Sequence, residues 1–238
     1  DRYDNGKLST QWAAGAYAVG NSFKEAIPEI EDYVKLGNQG EIVTEINNQP
    51  LKIEKTFLAS SSFFNIFTYP LLSGDKKTAL TEPYSAAISE TTAKTLFGTT
   101  NAVGKTFSIN GGENDYTVTA VFEDAPVNTQ LRPNILVSYA TFLKQQGPDS
   151  NPETAWLWDG CLTYVLLNEG ADPVKVQSKF PPIVEKATGE ELKRFNASVT
   201  YLLQPLKDIH LYSHYMLEPA PNGDGKTTYL LLAIVFFI

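Results

Sequence analysis

The sequence predicts an α+β fold, and three observations carry that reading. About nine strand-like stretches stand against five helical ones. Their order is mixed, without the strict alternation that a doubly wound parallel sheet requires. Of the 238 residues, 42% are apolar and 19% charged, which supplies a core for one or two domains and excludes a disordered chain.

Residues 1–18 read as extended. Asn21 is placed to cap a short helix bearing Phe23, Ala26 and Ile27, which Pro28 ends. Tyr33 to Leu36 reads as a strand. Glu41 to Asn47 and Leu51 to Phe57 alternate, and the turn Asn47–Pro50 makes them a hairpin. Ser61 or Ser62 starts a short helix carrying Phe63, Phe64, Ile66 and Phe67, and Tyr69–Asp75 leaves it as a turn. Tyr84–Ile88 is a strand. Ser89 caps the next helix, with Ala93, Leu96 and Phe97 inward and Gly98 closing it. Lys105–Ile109 and Tyr116–Phe122 pair around Asn110-Gly111-Gly112. Asn134–Tyr139 is a strand, followed by a helical turn through Phe142 and Leu143, and residues 147–155 form a surface loop. Leu162–Leu167 is strongly β-like. Asp172-Pro173 opens a helix that must break at Pro181-Pro182. Gly189–Phe195 adds a further helical piece, and Ser198–Leu203 is the last strand. Pro219–Lys226 is a Gly- and Pro-rich connector. Tyr229–Ile238 is then ten apolar residues in a row, shorter than the roughly 20 needed to span a bilayer, and reads as the opening of a transmembrane helix.

The net charge of −8 argues against nucleic acid and against docking on anionic lipid through a basic patch. One cysteine, Cys161, allows no internal disulfide and has no protease-like context. Gly-Lys-Thr occurs at 104–106 and 225–227, but neither copy has a glycine at the phosphate-loop offset, so both read as turns. His210, His214 and Glu218 stand four apart, which on a helix would suggest zinc; the apolar surroundings and Pro219 favour structural histidines. Glu29, Glu31 and Asp32 read as a solvated face, and Trp156 and Trp158 as edge-strand packing. No nucleophile, base and oxyanion donor come together, so no catalytic, cofactor-binding or metal residues are assigned and no cofactor is expected.

A set of short motifs in order carries a resemblance. They are Phe63–Phe67, Pro70–Asp75, Ala79-Leu80, Pro83, Ile88–Glu90, Ala93, Leu96–Gly98 and Val103–Lys105. Tyr116–Val118, Val121–Asp124, Pro126 and Leu136–Ser138 continue the set, with Pro28–Asp32 upstream and Pro205–Leu211 downstream. Together they resemble the periplasmic core domain of MacB-like ABC-transporter permeases, the MacB/FtsX family. The resemblance implies a two-lobed extracytoplasmic domain. Residues 1–75 and 134–211 would form a porter-like α/β lobe, 76–133 an inserted β-rich (Sabre-like) lobe, 212–228 a connector, and 229–238 the start of a helix. It implies an inner-membrane protein with this domain in the periplasm and a first membrane helix before Asp1. A cytoplasmic ABC ATPase would drive a permease homodimer, and a periplasmic adaptor or lipoprotein would be a further partner. The implied role is non-catalytic transmission of ATP-driven motion in efflux or export, although a connector with Gly223 and Gly225 is a poor stiff link unless it packs onto the lobe. The alternative is a membrane-anchored sensor or ligand-binding domain; a secreted hydrolase ranks third.

Overall fold

The chain begins with two short strands, β1 (Arg2–Asp4) and β2 (Lys7–Thr10), which pair antiparallel. Asn5 and Gly6 join them at φ of 54° and 72°, the geometry that an Asn-Gly hairpin supplies without strain. The computed structural model describes residues 1–46 and 49–236. It separates into two units, Asp1–Ala14 with Asp172–Ile238, and Gly15–Ala171.

The larger unit is built on one mixed sheet. Its elements are β3 (Gly15–Ala16), α1 (Val19–Ala26), β4 (Ile30–Ile46), β5 (Gln49–Ala59), α2 (Phe63–Ile66), β6 (Leu71–Gly74) and β7 (Ser85–Ser89). After these come α3 (Glu90–Phe97), β8 (Thr106–Ser108), β9 (Asp115–Phe122), β10 (Ile135–Ser138), α4 (Tyr139–Gln146), a 3-10 turn Pro152–Thr154, and β11 (Asp159–Leu167). The strand order is β3-β11-β4-β5-β10-β7-β9-β6, with β8 on β9. Among the described strand pairs of this sheet, β10–β5 and β7–β9 run parallel and the others antiparallel. The central strands β7 and β10 are buried at every position, as strands covered on both faces must be. Residues 76–133 supply β7, β8 and β9 to this same sheet, with α3 between β7 and β8.

Several expectations change. The two strands foreseen at 33–36 and 41–47 are one, β4, whose pairing with β5 shifts register around Asn38–Ile42, where Gly40 sits at φ 68°. Asn47 and Asn48 of the expected turn lie outside the described residues, and Gln49 and Pro50 already belong to β5. Alternation along β5 stops at Lys55, a bulge residue at φ 58°. Beyond it Thr56–Ala59 are all buried, because β10 covers the strand's other edge and neighbouring elements its faces. The expected turn at 69–75 contains β6, an edge strand on β9. The loop at 147–155 buries Pro152.

The smaller unit resumes with α5 (Pro173–Gln177) and α6 (Phe180–Arg194). The break foreseen at the prolines comes just before them, at Ser178-Lys179. Pro181 and Pro182 sit in the first turn of α6, where a missing N–H costs nothing. Gly189–Phe195 is therefore no separate piece but the end of α6. Strand β12 (Ala197–Val199), shorter than expected, pairs with β1 to give the order β12-β1-β2. Then come α7 (Leu206–Tyr212) and α8 (Gly225–Phe236). Phe237 and Ile238 of the expected membrane-helix start lie outside the described residues. At 1.5 Å per residue the 12 residues of α8 reach about 18 Å, and among the described residues no helix is long and apolar enough to cross a membrane.

Candidate functional site

Two polar constellations stand out, one in each unit. In the larger unit Lys35, on β4, is only 1% exposed. A buried ammonium needs acceptors. Its Nζ donates to Glu153 Oε1 at 2.7 Å and to Asn21 Oδ1 at 3.1 Å, and it lies 5.2 Å from the centre of the Tyr139 ring. Asn21 Nδ2 in turn donates to the Glu153 carbonyl at 2.8 Å. Asn21 is thus no helix cap: α1 starts two residues earlier without a side-chain cap. Gly20 permits the arrangement, since a Cβ there would lie 2.5 Å from the Tyr33 ring. The knot ties α1, β4 and the 3-10 turn together. Burial, followed by the nearby Glu153 charge, raises the Tyr33 hydroxyl to about 12 and pushes Tyr139 up as well. Sequence reading passed over Lys35; a lysine inside an otherwise apolar strand was the available signal.

In the smaller unit the connector folds back on its neighbours. Ala13 N donates to Met216 O at 2.9 Å and Met216 N to Gln11 O at 3.0 Å, a parallel bridge. Gly223 N donates to His210 O at 2.8 Å, and Asn222 Nδ2 to Ser213 O at 2.8 Å. The Tyr212 ring lies so close to Gly225 that a Cβ there would be 2.8 Å away. Asp224 caps α8, its Oδ1 accepting from Thr227 N at 2.6 Å. The Thr227 amide and hydroxyl, then His214 and Lys226, hold the Asp224 carboxyl below its usual range.

The singled-out residues are dispersed. His210 is on α7, while His214 lies past its end, 3.8 Å from Asp224; Glu218 accepts a hydrogen bond from Ser213. Among the described residues no group of three His, Cys, Asp or Glu side chains could hold a metal. Gly104 turns at φ 86° and Lys105 covers the Phe97 ring. The copy at Gly225 opens a helix, but the Asp224 carboxylate occupies the position a phosphate would need. Cys161 is buried, and that burial pushes its thiol up to about 12. Of the three acids read as a solvated face, Glu31 is exposed and Glu29 and Asp32 are half-buried, Asp32 accepting from the Tyr33 amide at 2.8 Å. Trp156 and Trp158 precede β11 rather than lie on an edge strand, packing near Phe23 and against Tyr17 and Phe142.

Each unit also has a shallow cavity. One of about 250 Å³ runs between α6 and β12, over Phe180, Val184, Leu192 and Val199. The other, about 300 Å³, is lined by Asp32, Tyr33, Ser60–Ser62, Asn65 and Lys77. Two of its serine hydroxyls have work already: Ser60 Oγ accepts from Lys35 N at 3.0 Å, and Ser62 Oγ donates to Tyr33 O at 2.5 Å.

The family described as MacB-like periplasmic core domain matches residues 5–183. No curated protein matches. Similar solved structures include a Porphyromonas gingivalis domain described as belonging to a permease: 21% identity, 82% of this chain and 84% of that one, TM-score 0.67. The extracellular domain of the ABC-type transporter YknZ from Gram-positive bacteria gives 16%, 79%, 90% and 0.53. The periplasmic region of MacB from Actinobacillus actinomycetemcomitans gives 14%, 75%, 76% and 0.51. Identities this low speak for the fold alone.

Proposed function

Because the chain belongs to the MacB-like periplasmic core domain family, we propose that it is the extracytoplasmic part of an inner-membrane ABC permease and performs no bond chemistry itself. A cytoplasmic ATPase moves membrane helices, and the domain carries that motion to periplasmic partners or cargo. The permease works as a homodimer. A periplasmic adaptor or lipoprotein receives the motion, and residues 76–133 serve as the inserted lobe that meets it.

The observation that carries the reading is the backbone bridge between Gln11–Ala13 and Met216. It binds the front of the chain to the connector that leads into α8. With Gly223 held on His210 and Tyr212 wedged on Gly225, the connector is packed rather than slack. Packed elements pass on a displacement that a floppy linker would absorb. The test uses the full-length chain with its ATPase in vesicles, spin-labelled on Leu8→Cys, an exposed position of β2. Adding ATP should change the label-to-label distance between two copies. An unchanged distance while ATP is being hydrolysed would contradict the reading.

A further inference from the structure

Helix α7 is unusual in having no buried residue, although Leu206, Ile209, Leu211 and Tyr212 make it largely apolar. Leu211 is accounted for, since its Cδ2 lies against Gly223. Leu206, Ile209 and Tyr212 recur every third position and so form one stripe along the helix. Leu206 is 59% exposed and Tyr212 54%. Met216 and Leu217 just beyond α7, and Tyr229, Leu230 and Leu231 in the first turns of α8, are exposed apolar side chains too. Single exposed apolar side chains need no explanation, but here α7 and α8 are physically joined through Tyr212. The Tyr212 hydroxyl lies 3.5 Å from the Tyr229 hydroxyl, and its ring covers Gly225. Leu217 adds a second sign. It holds a left-handed φ of 64°, which strains any residue with a Cβ, yet its side chain gains no burial in return.

The chemistry of the surface selects its occupant. Lys207 and Lys226 stand among Asp208, Glu218 and Asp224, with His210 and His214 between them, so no strong charge of either sign marks the patch. Attraction to a charged partner is therefore not its purpose. Paired tyrosine hydroxyls at the mouth of an apolar helix are what the boundary between water and hydrocarbon favours, ring in the apolar layer and hydroxyl in the wet one. The surface is also continuous with α8, whose apolar run leads away from Tyr229. We infer that α7, Met216-Leu217 and the first turns of α8 rest together on the headgroup layer of a lipid bilayer, with α7 lying in the interface and setting the height of the unit above the membrane. A short interfacial helix of this kind sinks its apolar side about 5–10 Å. The inference rests on the reading that α8 enters the bilayer.

Site-directed spin labels read depth directly, by comparing collisions with oxygen, which concentrates in lipid, and with a water-soluble nickel chelate. Cys161 is buried and can stay in place, with the unsubstituted chain as its labelling control. Labels go on Leu206→Cys, Tyr212→Cys, Leu217→Cys and Leu231→Cys in the full-length chain in phosphatidylethanolamine–phosphatidylglycerol vesicles, with Val127→Cys as the aqueous reference. These side chains are exposed, so the substitutions spare the core; Tyr212→Cys also gives up the contacts to Gly225 and Tyr229, and Leu206 and Leu217 report on α7 and its flank without that loss. The expected result is an oxygen-to-nickel ratio several-fold above the reference at all four sites. Lipid-like values at Leu231 with aqueous values at Leu206, Tyr212 and Leu217 would overturn the inference and leave the proposed function standing. Aqueous values at all four would overturn both. Labels at Leu206 and Leu217 that neither agent reaches would mean that protein, such as a second copy of the chain, covers the patch, and would likewise overturn the lipid assignment.

Discussion

Lys35 is the residue on which the larger unit's loop end depends. Removing one partner of a buried pair leaves an uncompensated charge, whereas replacing the charged side chain by an apolar one of like shape often costs little. Glu153→Ala leaves the Lys35 ammonium on Asn21 and the Tyr139 ring without a countercharge and is expected to cost about 3 kcal/mol. Lys35→Met leaves a carboxylate whose side chain is 30% exposed and free to turn to water, with an expected loss nearer 1 kcal/mol. Urea unfolding of the two variants compares them; equal losses would show that packing, not charge, holds the knot. A second prediction concerns alkali. Burial raises the Tyr33, Tyr69 and Cys161 groups to about 12 from ordinary values of 10 for the phenols and 9 for the thiol. The unfolded chain therefore gives up these protons first. Stability is whole below pH 9 and falls as pH climbs toward 12. Tyr69→Phe removes a 2.5 Å hydrogen bond to Leu131 O, costing about 1 kcal/mol at neutral pH. The variant should lose less than the parent across the alkaline range; an identical loss would exclude Tyr69 as a contributor.

Helix α3 shows local rules at work. Ser89 Oγ accepts from Thr92 N at 3.2 Å, and Gly98 closes the helix at φ 71°. Ser89→Ala should cost about 1 kcal/mol in thermal or urea unfolding; no loss would mean that the Thr91–Asp124 hydrogen bonds at the same helix end suffice. This element was legible because a capping serine and a closing glycine act within a few residues. The β8–β9 pair around Asn110–Gly112 was legible for the same reason. What depended on distant partners was not. The register shift of β4 at Asn38–Ile42 looked like a chain break, although hydrogen bonds to β5 resume on both sides. Leu71–Gly74 looked like a turn because of Pro70 and Gly74, and only β9 makes it a strand. Asn21 had a helix-cap signature, but a lysine and a glutamate far off in sequence took its side chain. The connector's glycines suggested slack, whereas Gly225 is where Tyr212 comes closest.

At the scale of the whole molecule, the proposed role in passing on motion requires a continuous packed route. Within the smaller unit the Gln11–Ala13 bridge to Met216, the α7 contacts of Gly223 and the Asp224 cap of α8 are the contacts that such a route would use. Between the bridge at Met216 and the Asn222 hydrogen bond to Ser213, the connector runs through Pro219–Pro221. The most direct measurement inserts a flexible Gly/Ser segment after Pro221 in the full-length chain and repeats the ATP-dependent distance measurement in vesicles. The account predicts that ATP hydrolysis persists while the ATP-dependent distance change shrinks or disappears. A distance change of undiminished size in the spliced chain would contradict it.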